Sequence, residues 1–220
     1  MPEAGNILVG LFGTGGFARP VMPLVRPSLG ADCEPVFVDR APEVARLNGY
    51  RVMEEAAFLA APAARYFNVA IAASGLRARI AERCLAQGLL PLHLQAPNAI
   101  VYDGNSIAEG AVLCANTMVT CNAVIGRFFH LNIFSYVEHD CVIGDFVTFA
   151  PGVRCNGNVH VGDHAFIGAG AILRDGTRER PLRIGANAVV GMGAVVTRDV
   201  PPGVTVVGNP ARALVKPTGH

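Results

Sequence analysis

From Val101 to Leu173 an apolar residue returns at every sixth position without a miss. The series runs Val101, Ile107, Leu113, Val119, Ile125, Leu131, Val137, Ile143, Phe149, Cys155, Val161, Ile167 and Leu173. An α-helix repeats every 3.6 residues and a strand every two, so neither alone requires this rhythm. A period of six marks a chain wound into a parallel β-helix, one flat face per hexad. Small residues precede many of these positions by two: Ala111, Thr117, Ala123, Ser135, Cys141, Ala165 and Ala171. Both inward positions of each segment must therefore fit a narrow prism. Gly144, Gly162 and Gly168 follow their apolar positions, where tight turns are expected to need backbone freedom. The frame slips by five residues between Leu173 and Ile184, which predicts a charged loop thrown out over residues 175–181. The period resumes at Ile184, Val190 and Val196. Pro201-Pro202-Gly203 ends it, and residues 204–207 read as a short terminal strand.

The first half has a different rhythm. Residues 7–12 read as a buried strand, 13–16 as a turn and 17–25 as helical spacing. Strands are predicted at 36–39 and 67–72, helices at 54–61 and 75–87, the latter closed by Gly88. A fourth short strand is expected within 89–94. This alternation implies a small parallel sheet with helices around it. The division is an α/β domain over 1–97 and a β-helix domain over 98–220. Gly13-Thr14-Gly15-Gly16-Phe17-Ala18 matches G-x-G-x-x-A between a strand and a helix, and Asp39 ends the next strand. Glycines there let phosphate approach a helix N-terminus, where free N–H groups attract anions. Alone the motif also fits NAD. The domain is too short for a full dinucleotide fold, however, and no second mononucleotide half follows. Arg19 is placed to neutralise phosphate or simply lies on a helix face. A glycine-rich turn without a ligand is the plain alternative.

Composition removes several classes. The 220 residues suffice for one large or two small domains. Half are hydrophobic, yet no apolar run approaches the roughly 18–20 residues that span a bilayer, so membrane insertion is not expected. Met1-Pro2-Glu3-Ala4-Gly5 lacks the basic and apolar regions of a signal peptide, and a cytoplasmic protein is expected. A net charge of +1 without a Lys/Arg cluster argues against nucleic acid as a partner. The six cysteines (Cys33, Cys84, Cys114, Cys121, Cys141, Cys155) show no CxxC spacing and read as reduced core thiols rather than metal ligands. Lys216 is the only lysine, so no internal Schiff-base lysine exists.

The hexads and the ending Val207-Gly208-Asn209-Pro210-Ala211-Arg212 resemble the hexapeptide-repeat acyltransferases, which fold as left-handed parallel β-helices. Over residues 7–213 the chain is similar to a narrower group, the sugar acetyltransferases typified by NeuD and the bacillosamine-pathway N-acetyltransferase. That similarity rests on the Gly-rich first turn, Asp39, the segment Val137-Glu138-His139-Asp140-Cys141-Val142-Ile143-Gly144-Asp145-Phe146, and Gly157-Asn158. It implies a small Rossmann-like N-terminal domain that binds a nucleotide-linked amino sugar at Gly13, Gly15, Gly16 and Phe17, with Asp39 near the base or ribose. It implies acetyl-CoA as co-substrate, no metal, and a homotrimer with each site between two chains.

His139 lies two residues after Val137, at a turn between faces, and is expected to point outward. The resemblance gives it the role of general base, for which imidazole is suited because it takes and releases a proton near neutral pH. Asp140 is implied as the acid that orients it; a solvated turn dipeptide is the alternative. If three hexads make one coil, residues about 18 apart stack one strand spacing apart, near 4.8 Å. Gly157 then lies above His139 and Asn158 above Asp140. The resemblance implies that the Gly157 N–H receives the thioester oxyanion; an ordinary turn glycine is the alternative. The group often carries a second histidine where this chain has Thr148, a contact to the acetyl-CoA arm. His130, one coil below Thr148, either partly compensates for that histidine or is a surface residue, the reading preferred from the sequence. Asn132 matches an acceptor-sugar contact, Arg212 and Lys216 are candidates for the CoA phosphates, Ser135 has no evident base, and His160 and His164 are expected as solvent-facing turn residues. Three rivals remain: sugar O-acetylation with the same base, a γ-carbonic-anhydrase-like metal lyase needing three convergent histidines, and a nucleotide-binding scaffold without catalysis.

Overall fold

The computed structural model describes residues 7–214, so the readings at Lys216 and at residues 1–5 lie outside the described residues. The described residues form two compact units, 7–97 with 109–112, and 98–108 with 113–214.

In the first unit the strands are β1 (Ile7–Phe12), β2 (Cys33–Asp39), β3 (Arg46–Leu47), β4 (Tyr50–Glu54), β5 (Ala64–Val69) and β6 (Leu90–Pro91). They lie in the order β3-β4-β2-β1-β5-β6, all parallel neighbours except the antiparallel pair β3–β4. Leu8, Val9, Leu11 and Phe12 are all buried, the unbroken apolar run of a strand covered on both faces. Phe12 meets Phe58 and Phe67 edge-on, with ring centroids 5.7 and 6.4 Å apart. The order reverses on either side of β1, so the crevice for a ligand opens at the C-terminal strand ends, near Gly13 and Asp39.

Three elements differ from expectation. The helix over 17–25 is broken into α1 (Ala18–Val21), a 3₁₀ turn (Met22–Leu24) and α2 (Val25–Leu29), because Pro20, Pro23 and Pro27 each remove an N–H donor. The third strand ends at Val69 rather than 72, although Ala70 N still donates to Phe12 O at 2.9 Å. The β3–β4 hairpin was not foreseen. It turns on Asn48-Gly49, both at positive φ, the chemistry of a two-residue hairpin. The helices at 54–61 and 75–87 appear as α3 (Glu55–Ala60) and α4 (Ser74–Ala86).

The second unit is a coil of two- and three-residue strands on three faces. The first face holds Ile100–Val101, Met118–Val119, Tyr136–Val137, Arg154–Cys155, Ile172–Leu173 and Val195–Val196. The second holds Ser106–Ile107, Val124–Ile125, Val142–Ile143, Val159–Val161 and Leu182–Ile184. The third holds His130–Leu131, Thr148–Phe149, Phe166–Ile167, Val189–Val190 and Thr205–Val207. Parallel partners are eighteen residues apart (Val119↔Val137↔Cys155↔Leu173), except that the step widens across the predicted loop, as in Val161↔Ile184, and shortens in the last coil, as in Val190↔Val206. From Leu113 to Leu173 every hexad position is at most 3% exposed, so the sequence period is the inward-facing period of the prism.

The corners explain the rest of the hexad. Residues 104, 110, 116, 122, 128, 134, 140, 146, 152, 158, 164 and 170 all have φ between 51° and 77°. Gly144, Gly162 and Gly168 are not among them, so they do not supply left-handed backbone. Their requirement is close approach: a Cβ on Gly168 would lie 2.6 Å from Met192 N in the next coil. Truncation of a single rung measures the prism's contribution. Ile143→Ala, at a position 2% exposed and paired on both sides, is expected to cost about 2–5 kcal/mol in chemical denaturation, from lost burial plus a cavity.

Candidate active site

Residues 138–141 turn the corner between the first and second faces. Val137 and Cys141 are both fully buried, and they anchor the turn so that His139 between them projects outward with its side chain half exposed. Asp140 takes the left-handed conformation, φ 57°, which Asp adopts more readily than most residues. That places its carboxylate beside the ring: Nδ1 of His139 lies 2.8 Å from Oδ2 of Asp140. A carboxylate only accepts, so the proton of a neutral ring sits on Nδ1 and Nε2 is left as the acceptor. The hydrogen bond from His139 holds the Asp140 carboxyl below its usual range, against a smaller desolvation cost, with the Asn122 amide and the Arg178 charge adding to the effect.

One rung up, Asn158 N donates to His139 O at 3.0 Å, and Gly176 N donates to Gly157 O at 2.9 Å. Gly157 lies directly over the imidazole. A Cβ there would sit 2.5 Å from both Cε1 and Nε2 of His139, so the glycine is required by the ring itself. The Gly157 amide is already engaged: it donates to Oε2 of Glu138 at 3.1 Å. Sequence reasoning gave Glu138 no role. The available signal was its position nineteen residues before Gly157, since a glutamate is long enough to climb one rung of about 4.8 Å.

Other expected site residues lie elsewhere. Asn132 is at the corner between the third and first faces, and Thr148 is on the third face, so one chain does not bring either to His139. The Asn132 Oδ1 accepts from Ile133 N at 2.8 Å. His130 is buried, not at the surface, because the outward positions of its face, His130 and Thr148, are both covered. His160 is on a strand, half-buried, with Nδ1 3.4 Å from Arg183 Nη1; burial and that guanidinium push its pKa down. His164 is a turn residue but stacks on Phe146, centroids 5.3 Å apart, rather than facing solvent. Ser135 is buried, donates to Ala150 O and accepts from Val153 N, which leaves it a structural hydroxyl. Arg212 is exposed in the terminal antiparallel strand Arg212–Ala213. Among the described residues no three His, Cys, Asp or Glu side chains converge as metal ligands, and no helix is long and apolar enough to cross a membrane.

In the first unit a cleft of about 830 Å³ opens at the strand ends. Gly13 and Asp39 line it, with Phe12, Glu54, Ile71 and Arg79 among their neighbours. Asp39 is held by Thr14 Oγ1 at 2.9 Å and Ala41 N at 3.1 Å. Gly15, Gly16 and Phe17 are not in the cleft wall. The carboxylates and guanidiniums that flank Asp39, including the Glu55–Arg83 ion pair, carried no sequence signal because they come from separate elements, β4, α3 and α4.

A parallel β-helix bearing an exposed His–Asp pair beneath a glycine rung defines an acyltransferase of the hexapeptide-repeat class. Residues 158–198 match the hexapeptide repeat of succinyl-transferase. The chain is 47% identical over 212 residues to GDP-perosamine N-acetyltransferase of Escherichia coli O157:H7, covering 94% of this chain and 96% of that one. It superposes on WeeI from Acinetobacter baumannii AYE with a TM-score of 0.90 and 49% identity, over 94% of this chain and 100% of the other. It superposes on a variant of GDP-perosamine N-acetyltransferase from Caulobacter crescentus, in complex with CoA and GDP-perosamine, with a TM-score of 0.86 and 27% identity over 97% and 99% of the two chains. The chain belongs to the hexapeptide-repeat sugar N-acetyltransferases.

The rung over the imidazole gives a direct test. Gly157→Ala is expected to displace the ring and lower kcat about 100-fold, the scale of a one-ångström misplacement. Circular dichroism and thermal unfolding of the variant check that the coil itself is kept.

Proposed function

We propose that this chain transfers the acetyl group of acetyl-CoA to the amino group of GDP-perosamine or a closely related nucleotide-linked amino sugar, for surface polysaccharide assembly in the cytoplasm. The observation that carries this reading is the His139–Asp140 pair, with Nε2 facing a rung that has no side chain. The amine attacks the thioester carbonyl carbon as Nε2 takes its proton. Asp140 stabilises the imidazolium that forms. The new C–N bond and the negative oxygen exist together in the tetrahedral intermediate. The C–S bond then breaks, and His139 returns the proton to the departing CoA sulfur. No covalent enzyme intermediate is needed.

The Gly157 N–H is the donor for the oxyanion. In the resting site the Glu138 carboxylate occupies that donor at 3.1 Å, the distance a substrate oxygen would keep. Glu138 therefore swings away when the thioester enters, and a carboxylate beside the amine helps hold the acceptor. Asn158, in the next rung over Asp140, is assigned to the acetyl-CoA arm, with Arg212 at its phosphates. The nucleotide occupies the cleft at Gly13 and Asp39, in a Rossmann-like domain of 1–97, and the domain of 98–220 is a left-handed β-helix.

Asn132 contributes to the site only if a second chain presents its own corner to His139, whereas Thr148 is covered within its own chain. A homotrimer satisfies this. The outward columns beside the His139 corner support it, since Val124 and Val142 are 52% and 42% exposed on a flat face. Light scattering is expected to give three chain masses.

Turnover is read from thiol release with acetyl-CoA and a panel of GDP-, UDP- and dTDP-amino sugars. GDP-perosamine is expected to give the largest kcat/KM, and His139→Ala to lower kcat by about 10²–10⁴ with an unchanged fold. Full turnover in His139→Ala would remove the mechanism.

A further inference from the structure

The geometry points to Asn122 as a positioning residue for the catalytic pair: from the rung below, its side-chain amide holds one oxygen of Asp140 so that the other faces His139. The inference rests on the proposed role of His139 as base.

Asn122 stands eighteen residues before Asp140, in the same column of left-handed corner residues, at φ 58°. Its Nδ2 donates to Oδ1 of Asp140 at 3.4 Å, while Oδ2 of the same carboxylate meets His139 Nδ1 at 2.8 Å. The two contacts use different oxygens, so together they fix the rotation of the carboxylate plane. A carboxylate accepts and cannot donate, so the NH₂ end of the amide must face it. The rung beneath Asn122 is Gly104, where a Cβ would lie 2.8 Å from the Asn122 Oδ1. The missing side chain at Gly104 leaves room for the amide oxygen below, which turns the amide nitrogen upward. Without Asn122, Asp140 is exposed on an open corner and one of its oxygens has no donor on the rung below. It then rotates among several positions, and only some of them meet the imidazole.

Asn122 touches neither the thioester nor the amine in this arrangement, so its removal acts on kcat and not on substrate affinity. Asn122→Gly deletes the amide and suits the left-handed backbone, which protects the fold. It is expected to lower kcat about tenfold, with KM for acetyl-CoA and for GDP-perosamine within about twofold and the unfolding temperature unchanged. The same substitution in an Asp140→Asn background is expected to have no further effect, because the two residues act as one unit. Asn122→Asp keeps the shape but sets a carboxylate against Asp140, and is expected to lower kcat at least as far as Asn122→Gly.

Equal kcat loss in the Asp140 and Asp140→Asn backgrounds, or a kcat in Asn122→Gly equal to that of the unaltered protein, would overturn the assignment. His139→Ala assayed alongside separates the two levels. If it is inactive while Asn122→Gly is unaffected, only the role of Asn122 fails. If it turns over normally, the catalytic reading fails with it.

Discussion

The hydrogen bonds between successive coils of the β-helix fix everything that the site depends on. Up to the charged loop each short strand pairs with the one eighteen residues on, so side chains stack in columns one strand spacing apart. A residue's chemistry is then set by what stands above and below it. His139 has a glycine above it, Asp140 has Asn158 above it and Asn122 below it, and Glu138 reaches the amide of the rung above. None of these neighbours is close in sequence. All are close because the inward positions, from Leu113 to Leu173, bury continuously and allow no slip of register.

Much of this was legible because the rule is periodic. The hexad positions, the excursion before Ile184 and the stacking of Gly157 over His139 all follow from counting in sixes and eighteens, and all are found in the coordinates. What counting does not give is the reach and direction of a side chain. The Glu138 contact depends on a flexible carboxylate climbing one rung, and the burial of His130 depends on what covers its face. The glycines at 144, 162 and 168 were assigned the wrong reason for the same cause: their constraint comes from the backbone of the next coil, which a one-dimensional reading does not contain. In the first unit the prolines at 20, 23 and 27 overrode a helical spacing, and the Asn48-Gly49 hairpin was hidden between charged flanks.

The two units offer different kinds of geometry. The parallel sheet ends in a cleft where charged groups of both signs, Asp39, Glu54, Arg79 and Arg83, surround apolar side chains such as Leu59 and Ile71. Such a mixture suits a ligand with a flat ring and a charged tail. The coil instead offers an exposed corner at His139, across which the acetyl-CoA arm lies in the proposed function. Gly157 leaves the rung above the imidazole free of a side chain, and its carbonyl accepts from Gly176 N in the next rung at 2.9 Å.

In the proposed mechanism the period of the corners also explains why the acid follows the base directly. Every sixth residue must be left-handed to turn the coil, a conformation that costs an ordinary residue about 1–2 kcal/mol. The chain offsets this column by column. Phe128 and Phe146 stack with rings parallel to within 1° and centroids 5.5 Å apart, and His164 continues the stack. Asn98 donates to Asn116 at 3.0 Å along another corner. In the column of residue 140 the same need is met by Asn122 and Asp140, which tolerate the conformation and bond to each other. On the proposed mechanism the acid beside His139 thus occupies a position the fold had to fill with such a residue in any case, and the Asn122–Asp140 bond at that corner is the one proposed to aim its carboxylate.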